Sequence, residues 1–286
     1  MGKIILSADS TCDLGDELKA QCRVHYYPYH IEFRGHSYLD NVDITPEVLY
    51  AGYYEDGSLP KTSAINMQEY IDYFRSLLEE GDEVIHLNLG GALSSSYDHA
   101  CLAAREVPGV HVVDSCNLST GTGQLVIRAA RMIEEGMEAT DIVAALEALK
   151  PRVHASFVLD ALEFMAAGGR CPQILSHVGK TLHLRPEIVV DNADGSMHVG
   201  RLHHGSMHKA LKEYVRDQVK KNPGILTDDV FVTHSGAIAP ELIDEVCDNV
   251  RELLPDVERI HVTQASCTIS CHCGPGTIGI LFVTED

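Results

Sequence analysis

Strand-like and helix-like segments alternate through the first half of this sequence, and no other feature constrains its fold as strongly. Apolar strands are predicted at residues 3–8, 22–33, 83–89 and 110–114, and helices at residues 67–79, 96–106, 123–135 and 139–149. Buried strands that alternate with amphipathic helices are typical of a parallel sheet covered by helices. The first half is therefore predicted to form a three-layer α/β unit around a parallel sheet.

The pattern changes after Pro151, which follows the last of these helices. Residues 187–199 indicate a β-hairpin with Asp194-Gly195 at its turn. Helices are predicted at residues 207–221 and 241–253, and strands at residues 229–234, 259–263 and 278–283. Because hairpins and crossovers occur together here, this half is predicted to form a mixed sheet with helices. We expect two α/β domains, residues 1–152 and 153–286, that meet at a cleft.

The composition excludes several classes of function. A net charge of −20 leaves no basic surface for nucleic acid or for stable anchoring to an anionic membrane. The sequence has no apolar run of transmembrane length, and its first residues indicate a strand, not a signal peptide. Nine cysteines, an odd number, favour reduced thiols over a disulfide framework. We therefore expect a cytoplasmic protein.

Three cysteines and a histidine near the C-terminus raise the question of a metal site. The spacing of Cys267, Cys271 and Cys273 around His272 admits zinc or an iron–sulfur cluster, but no second Cys-x-x-Cys or His-x-x-x-His pair completes the ligand set. We interpret the cysteines as small buried thiols and predict no metal. His272 instead precedes a Gly-Pro-Gly turn, where the backbone can come close to a ligand, and we expect it to serve that ligand.

Polar loops follow three of the predicted parallel strands. Ser10 follows the first strand, Ser94 and Ser95 follow the third, and residues 114–123 follow the fourth. Ligands of open parallel sheets bind beyond the carboxyl ends of the strands. Helix capping explains each loop taken alone. Three such loops at one edge, in front of helix N-termini, favour a pocket for an anionic head group.

Two further polar segments are candidates for the same pocket. Thr62 belongs to a hydroxyl-bearing loop before the helix predicted at residues 67–79, although this loop can also serve only as the cap of that helix. Arg170 follows a double glycine that frees the backbone, so it can be presented to an anion or to a partner protein. The alternative for Arg170 is a solvated charge at a helix end.

Motifs for cofactor binding and for nucleophilic catalysis are missing from the sequence. It has no Gly-x-Ser-x-Gly elbow, no Walker loop and no Gly-x-Gly-x-x-Gly after a strand. We therefore expect no cofactor and no catalytic residue.

Seven short motifs, in register over almost the whole chain, resemble those of the DegV family of fatty-acid-binding proteins. They are Ala8-Asp9-Ser10-Thr11, Pro60-Lys61-Thr62-Ser63, Leu93-Ser94-Ser95-Ser96-Tyr97, Asp114-Ser115, Gly168-Gly169-Arg170, Leu184-Arg185-Pro186 and His272-Cys273-Gly274-Pro275-Gly276. Each motif alone is common, and the specificity comes from their shared order.

The resemblance implies two α/β domains with a long-chain fatty acid between them, its acyl chain in the apolar interior of the C-terminal domain. It also implies a carboxylate held by hydroxyl groups, which supply the donors that a carboxylate needs in a cleft of low dielectric. Members that work with a fatty-acid kinase present the bound fatty acid to that enzyme, with help from the arginine of the Gly-Gly-Arg motif. The predicted ligand-binding residues are Thr62, Ser94, His272, Ser95, Ser10 and Arg170.

The sequence departs from the family pattern at two places that bear on function. Ser95 replaces the glycine of the family's serine loop, and Leu202 and His204 stand at positions that are usually basic. The loss of those cations argues against coupling to a kinase. The alternative function is a serine-dependent acyl hydrolase or transferase that uses the Ser94 loop with His272 as its base. We favour a non-catalytic carrier.

Overall fold

The computed structural model describes residues 2–176 and 184–285, which form an α/β fold. Its strands, numbered in chain order, are β1 (Ile4–Asp9), β2 (His25–Tyr27), β3 (His30–Phe33), β4 (His36–Leu39), β5 (Lys61–Ser63), β6 (Glu83–Asn88), β7 (Val110–Asp114), β8 (Val153–Val158), β9 (Leu184–Val190), β10 (Met197–His204), β11 (Val230–His234), β12 (Ile260–Gln264) and β13 (Ile278–Val283). Its helices are α1 (Gly15–Cys22), α2 (Pro46–Asp56), α3 (Met67–Leu78), α4 (Ser96–Glu106), α5 (Thr120–Glu134), α6 (Ala139–Leu149), α7 (Leu162–Gly168), α8 (Met207–Lys221), α9 (Pro240–Leu253) and α10 (Cys267–Cys273).

The first sheet has the strand order β2-β1-β6-β7, and every neighbouring pair in it is parallel. Helices α3 and α4 pack on each other, as do α5 and α6, and both pairs contact the sheet. The predicted parallel sheet with helical layers is confirmed. Because the strands are parallel, β1, β6 and β7 end at one edge, where the loops that follow them come together.

Two segments beside this sheet differ from their predictions. Residues 22–33, predicted as a single strand, contain the end of α1 and then two strands that belong to different sheets, because Pro28 has no N–H with which to continue β2. Residues 61–63, predicted as a loop, form β5. This strand pairs antiparallel with β3, so that Thr62 lies opposite Ile31 in a small sheet of order β4-β3-β5.

The second large sheet has the order β10-β9-β8-β13-β11-β12 and is mixed, as predicted. Only β11 and β12 pair in parallel among the strands that the structure describes here. The β9–β10 hairpin turns at Gly195, whose φ of 77° suits glycine. A Cβ atom at Gly195 would lie 2.8 Å from the carbonyl carbon of Cys116, so this turn packs closely on the loop after β7.

One apolar cluster extends from the first large sheet into the second. It includes Leu6 and Ile85 on the parallel strands, Leu125 on α5, and Phe157 and Leu281 on the mixed sheet. A separate cluster lies between α8, α9 and the mixed sheet. The division of the chain at residue 152 stays a prediction, because the larger core is continuous across it. Because this cluster contains residues of both large sheets, it holds the two sheets in a fixed relation.

Candidate functional site

A cleft of about 500 Å³, including the solvent at its opening, lies where the carboxyl edge of the first sheet meets α7 and α10. Four of the six residues predicted to bind a ligand line it: Thr62, Ser94, Arg170 and His272. They come from four separate segments of the chain. Neither Ser10 nor Ser95 is among the described residues that line the cleft.

Thr62 and His272 meet across this cleft although 210 positions separate them in the sequence. Pairing of β5 with β3 fixes the backbone of Thr62, and α10 carries His272 near its last residue. The Oγ1 atom of Thr62 lies 2.9 Å from Nε2 of His272. This hydrogen bond joins the small antiparallel sheet to the C-terminal helix.

The tautomer of His272 follows from its other ring nitrogen. Nδ1 is buried and has no hydrogen-bond partner among the described residues. It faces Gly168, where a Cβ atom would lie only 2.3 Å away. A proton on Nδ1 would be a buried, unsatisfied donor, so we assign the proton to Nε2. The imidazole then donates to Thr62, whose own hydroxyl proton is free to point at a ligand.

Burial, and secondarily the positive charge of Arg170, lower the pKa of His272 to about 4. The imidazole is therefore neutral near pH 7. It acts here as a hydrogen-bond donor to Thr62, not as a cation that would pair with a carboxylate.

Ser94 lies in the loop between β6 and α4 and belongs to a chain of hydroxyl groups. Its Oγ atom accepts a hydrogen bond from the hydroxyl of Tyr29 at 3.2 Å and donates to Oγ of Ser96 at 3.1 Å. Ser96 is fully buried and also accepts from the backbone N–H of Ile65. Tyr29 lines the cleft too, and the sequence offered no signal that would have identified it.

Arg170 spans the mouth of the cleft. Its guanidinium donates to the carbonyl oxygen of Gly168 at 2.7 Å and to that of Leu93 at 3.2 Å. The side chain is exposed, and it forms no ion pair with any residue that the structure describes. Arg170 thus leaves its positive charge available beside the Ser94 loop.

Ser10 and Ser95 have other surroundings. The hydroxyl of Ser10 donates to Oδ2 of Asp40 at 2.6 Å and accepts from the backbone N–H of Tyr29 at 3.1 Å. Ser95 is exposed at the N-terminus of α4, where its side chain makes no capping hydrogen bond. Direct ligand contact by these two serines stays a prediction.

A second, smaller chamber of about 320 Å³, including open solvent, lies next to the cleft, and the two share Leu118, Ile269 and Cys273 as walls. Strands β8, β11 and β13 supply most of its remaining lining. The hydroxyl groups in its lining already form hydrogen bonds within the protein. Thr233 is hydrogen-bonded to Thr120, Thr277 and Ser235 donate to backbone carbonyl oxygens, and Ser119 donates to a carboxylate. The chamber therefore presents an apolar surface, as an alkyl chain requires.

The cysteines near His272 are free thiols in the structure. Burial raises the pKa of Cys273 to about 12 and holds that of Cys271 well above its usual value, so both stay protonated. Within residues 2–176 and 184–285, no group of three or more His, Cys, Asp or Glu side chains is arranged to hold a metal ion. No helix in those two ranges has the length and apolar character needed to cross a membrane.

The fold and the cleft together define a class of α/β proteins in which a parallel sheet and a mixed sheet enclose a pocket with a polar mouth and an apolar interior. The family model described as "Uncharacterised protein, DegV family" matches residues 3–285. This chain belongs to the DegV family.

Relatives match the chain over almost its full length. A DegV domain-containing protein of Caldanaerobacter subterraneus subsp. tengcongensis is 31% identical over 99% of both chains. A DegV family protein from Thermus thermophilus, described as binding fatty acid, is 29% identical to this chain. Its structure matches with a TM-score of 0.86 over 99% of this chain and 100% of that one. A stearic-acid-binding protein from Eubacterium ventriosum, 24% identical, shares the fold with a TM-score of 0.82 over 99% and 98% of the chains.

Proposed function

We propose that this protein binds a long-chain fatty acid without catalysing a reaction on it. The observation that carries the proposal is a hydroxyl group, that of Thr62, held by a neutral imidazole in a cleft that shares three wall residues with an apolar chamber. Fatty acid binding by the Thermus thermophilus protein, which is 29% identical over nearly the whole chain, supports it.

The carboxylate is proposed to lie between Thr62 and Ser94. With Nε2 of His272 donating to Oγ1 of Thr62, the threonine hydroxyl can donate its proton to a carboxylate oxygen. Ser94 can turn its hydroxyl from Ser96 towards the second oxygen while Tyr29 continues to donate to it. Arg170 is the only cation among the described lining residues, and it adds a favourable charge at the mouth.

The acyl chain is proposed to extend from this polar mouth past Leu118 and Ile269 into the second chamber. Met165 and Met197 line the first part of that path. Methionine side chains adapt to an irregular or bent hydrocarbon more readily than branched ones do. Transfer of the alkyl chain from water contributes about 0.8 kcal/mol per buried methylene, so it supplies most of the affinity.

The geometry argues against the alternative of a serine hydrolase. A nucleophilic serine needs a base within hydrogen-bond reach, and that base needs an orienting partner. Ser94 forms hydrogen bonds with Tyr29 and Ser96, whereas the hydrogen bond of His272 is with Thr62, so the two residues are not paired as nucleophile and base. The second nitrogen of His272 has no carboxylate against it among the described residues. We therefore propose a carrier.

Presentation of the bound fatty acid to a fatty-acid kinase is a further step of this proposal. Arg170 is exposed beside the proposed carboxylate position, as a contact with a second protein requires. The positions that are usually basic in the family carry Leu202 and His204 here. Addition of a fatty-acid kinase and ATP to the loaded protein, with Arg170→Ala as control, tests this step by release of acyl phosphate.

Native mass spectrometry of the purified protein, before and after removal of lipid, tests the carrier function. We expect one long-chain fatty acid per chain and rebinding of added stearic acid. A protein that neither retains nor rebinds a fatty acid would contradict the proposal. Labelling of Ser94 by an activity-based serine probe would support the hydrolase instead.

A further inference from the structure

Three aspartates that face no cation lie buried beneath the carboxyl edge of the first sheet. Asp9, Asp13 and Asp40 are each at most 4% exposed, and none forms an ion pair with a residue that the structure describes. A carboxylate without a cation is costly to bury, and burial raises the pKa of all three side chains, so the hydrogen bonds that they accept must offset that cost. Asp40 differs from the other two because its hydrogen bonds lead to both sides of the cleft.

One set of contacts leads from Asp40 to Ser94. Oδ2 of Asp40 accepts from the hydroxyl of Ser10 at 2.6 Å, and Ser10 in turn accepts from the backbone N–H of Tyr29 at 3.1 Å. The backbone N–H of Asp40 also donates to the carbonyl oxygen of Tyr29 at 2.9 Å. The phenol of Tyr29 then donates to Oγ of Ser94. These contacts fix the side of the cleft that bears Ser94.

The other set of contacts leads from Asp40 to His272. Cys267 is the first residue of α10, and its backbone N–H donates to Oδ1 of Asp40 at 2.8 Å. This short helix carries Thr268 and Ile269 in the wall of the cleft and His272 near its other end. Because α10 has only seven residues, an anchor at its first residue sets the position of the imidazole.

We propose that Asp40 is a positioning residue that couples the two hydroxyl groups of the head-group site, Ser94 and Thr62. The inference rests on the proposed function, since it concerns how the carboxylate site is held together. Asp40 is not among the described residues that line the cleft, so it acts through Ser10 and α10 and not by touching the ligand. Burial raises the pKa of Asp40, and the hydrogen bonds that its two oxygens accept from Ser10 and Cys267 oppose that shift.

Asp13 provides an internal comparison. Its Oδ1 accepts from the backbone N–H of Ser266 at 2.9 Å, so it also anchors the start of α10. Its Oδ2 accepts from the hydroxyl of Ser119 at 2.6 Å. Asp13 thus reaches the His272 side of the cleft, whereas Ser10 reaches the Ser94 side and Asp40 reaches both.

Four variants separate these roles: Asp40→Asn, Ser10→Ala, Asp13→Asn and, as a matched control, Asp229→Asn. Asp229 is 3% exposed and hydrogen-bonded to Arg131 and His261, outside the described lining of the cleft and of the second chamber. The probe is stearic acid labelled with carbon-13 at its carboxyl group. Calorimetry gives the affinity, and NMR follows the ligand carboxyl resonance and the imidazole resonances of His272.

We expect Asp40→Asn to weaken stearic acid binding by about tenfold, because an amide accepts at only one of the two positions. It should shift both the ligand carboxyl and the His272 resonances. Ser10→Ala should shift mainly the carboxyl resonance, Asp13→Asn mainly the imidazole resonance, and Asp229→Asn neither. If Asp40 only stabilised the fold, the Asp40 and Asp229 variants would lose similar stability, and neither would show these selective shifts of the two resonances.

Equal affinities and unshifted resonances for Asp40→Asn and Asp229→Asn would overturn the proposal. If Asp40→Asn does not fold, Ser10→Ala decides, and a parent-like carboxyl resonance in that variant refutes the coupling. Failure of the parent protein to bind stearic acid refutes the proposed function separately. If the parent protein does not bind stearic acid, the His272 resonances of ligand-free parent and ligand-free Asp40→Asn can still be compared. Identical resonances would refute the positioning role of Asp40.

Discussion

The imidazole of His272 lies between Thr62 and Gly168, with a hydrogen bond on the Thr62 side and none on the Gly168 side within the described structure. This asymmetry fixes the direction of proton donation from imidazole to threonine. We therefore expect the hydroxyl of Thr62, which is held in place by His272, to contribute more to ligand binding than that of Ser63, which also lines the cleft.

Replacement of Thr62 by valine keeps the shape of the side chain and removes its hydroxyl. Since a hydrogen bond to a charged group contributes about 1.5–3 kcal/mol, Thr62→Val should weaken stearic acid binding by roughly tenfold or more. Titration calorimetry measures this directly. Thr140→Val, at an exposed position of α6, is the matched control and should bind like the parent. Parent-like affinity in Thr62→Val would remove Thr62 from the site.

The titration of His272 should reflect the burial of its imidazole. Burial lowers its pKa to about 4, below the value near 6.5 of an exposed histidine. The unfolded chain therefore binds more protons between these values, and this residue's contribution to stability is lost as pH falls from about 6.5 through 4. NMR titration should give a midpoint near 4 for the resonance that disappears in His272→Gln. A midpoint near 6.5 would mean that the imidazole is solvated.

At the scale of helices and strands, the sequence predicted long periodic elements well and short ones poorly. Helices α4, α6 and α8 begin and end as predicted, because an amphipathic period over 11–15 residues is a strong signal. Helix α10 was not predicted, since Ile269 is the one aliphatic side chain among its seven residues and the segment therefore shows no apolar period. Strand β5 is too short to show a period and depends on pairing with β3.

Helix α7 and helix α10 approach each other so closely at Gly168 that a side chain there has no room. A Cβ atom at this position would lie 2.3 Å from Nδ1 of His272. We expect Gly168→Ala to displace the imidazole, to cost about 1–3 kcal/mol of folding stability and to weaken stearic acid binding. Chemical denaturation and calorimetry measure the two effects.

The control for this variant is Gly169→Ala. Gly169 has a φ of 70°, and no described residue lies within 4 Å of a Cβ atom there, so its substitution adds backbone strain without contact with His272. It should lower stability and leave affinity unchanged. If both variants bind equally well, the close approach of α7 has no role in the site.

At the scale of the whole molecule, the cleft exists because the two large sheets are held in a fixed relation. Arg128 and Arg131 on α5 pair with Asp228, just before β11. Burial alone would raise the pKa of Asp228, but the two guanidinium groups lower it to about 2. The sequence motifs indicated four of the residues that gather at the cleft, Thr62, Ser94, Arg170 and His272. Their geometry depends on contacts as distant as Thr62 with His272, which no local pattern encodes.

If the acyl chain passes from the cleft into the second chamber, the size of that chamber should limit the length of the chain that can bind. Ala265 is 5% exposed and lines the second chamber but not the described wall of the first. A leucine there would occupy this space without removing any polar contact of the head group. Because the added carbon atoms crowd a small chamber, we expect Ala265→Leu to cost about 1–3 kcal/mol of folding stability. Short-chain fatty acids, which need only the first cleft, should bind as before.

Longer acids should bind Ala265→Leu at least tenfold more weakly, because the end of the chain loses its place and each excluded methylene forfeits about 0.8 kcal/mol. Calorimetry with saturated acids of increasing length should show affinity that stops rising at a shorter chain than in the parent. Ala51→Leu, on the exposed face of α2, is the matched control and should follow the parent curve. Identical curves for both variants would mean that the acyl chain leaves the cleft by another route.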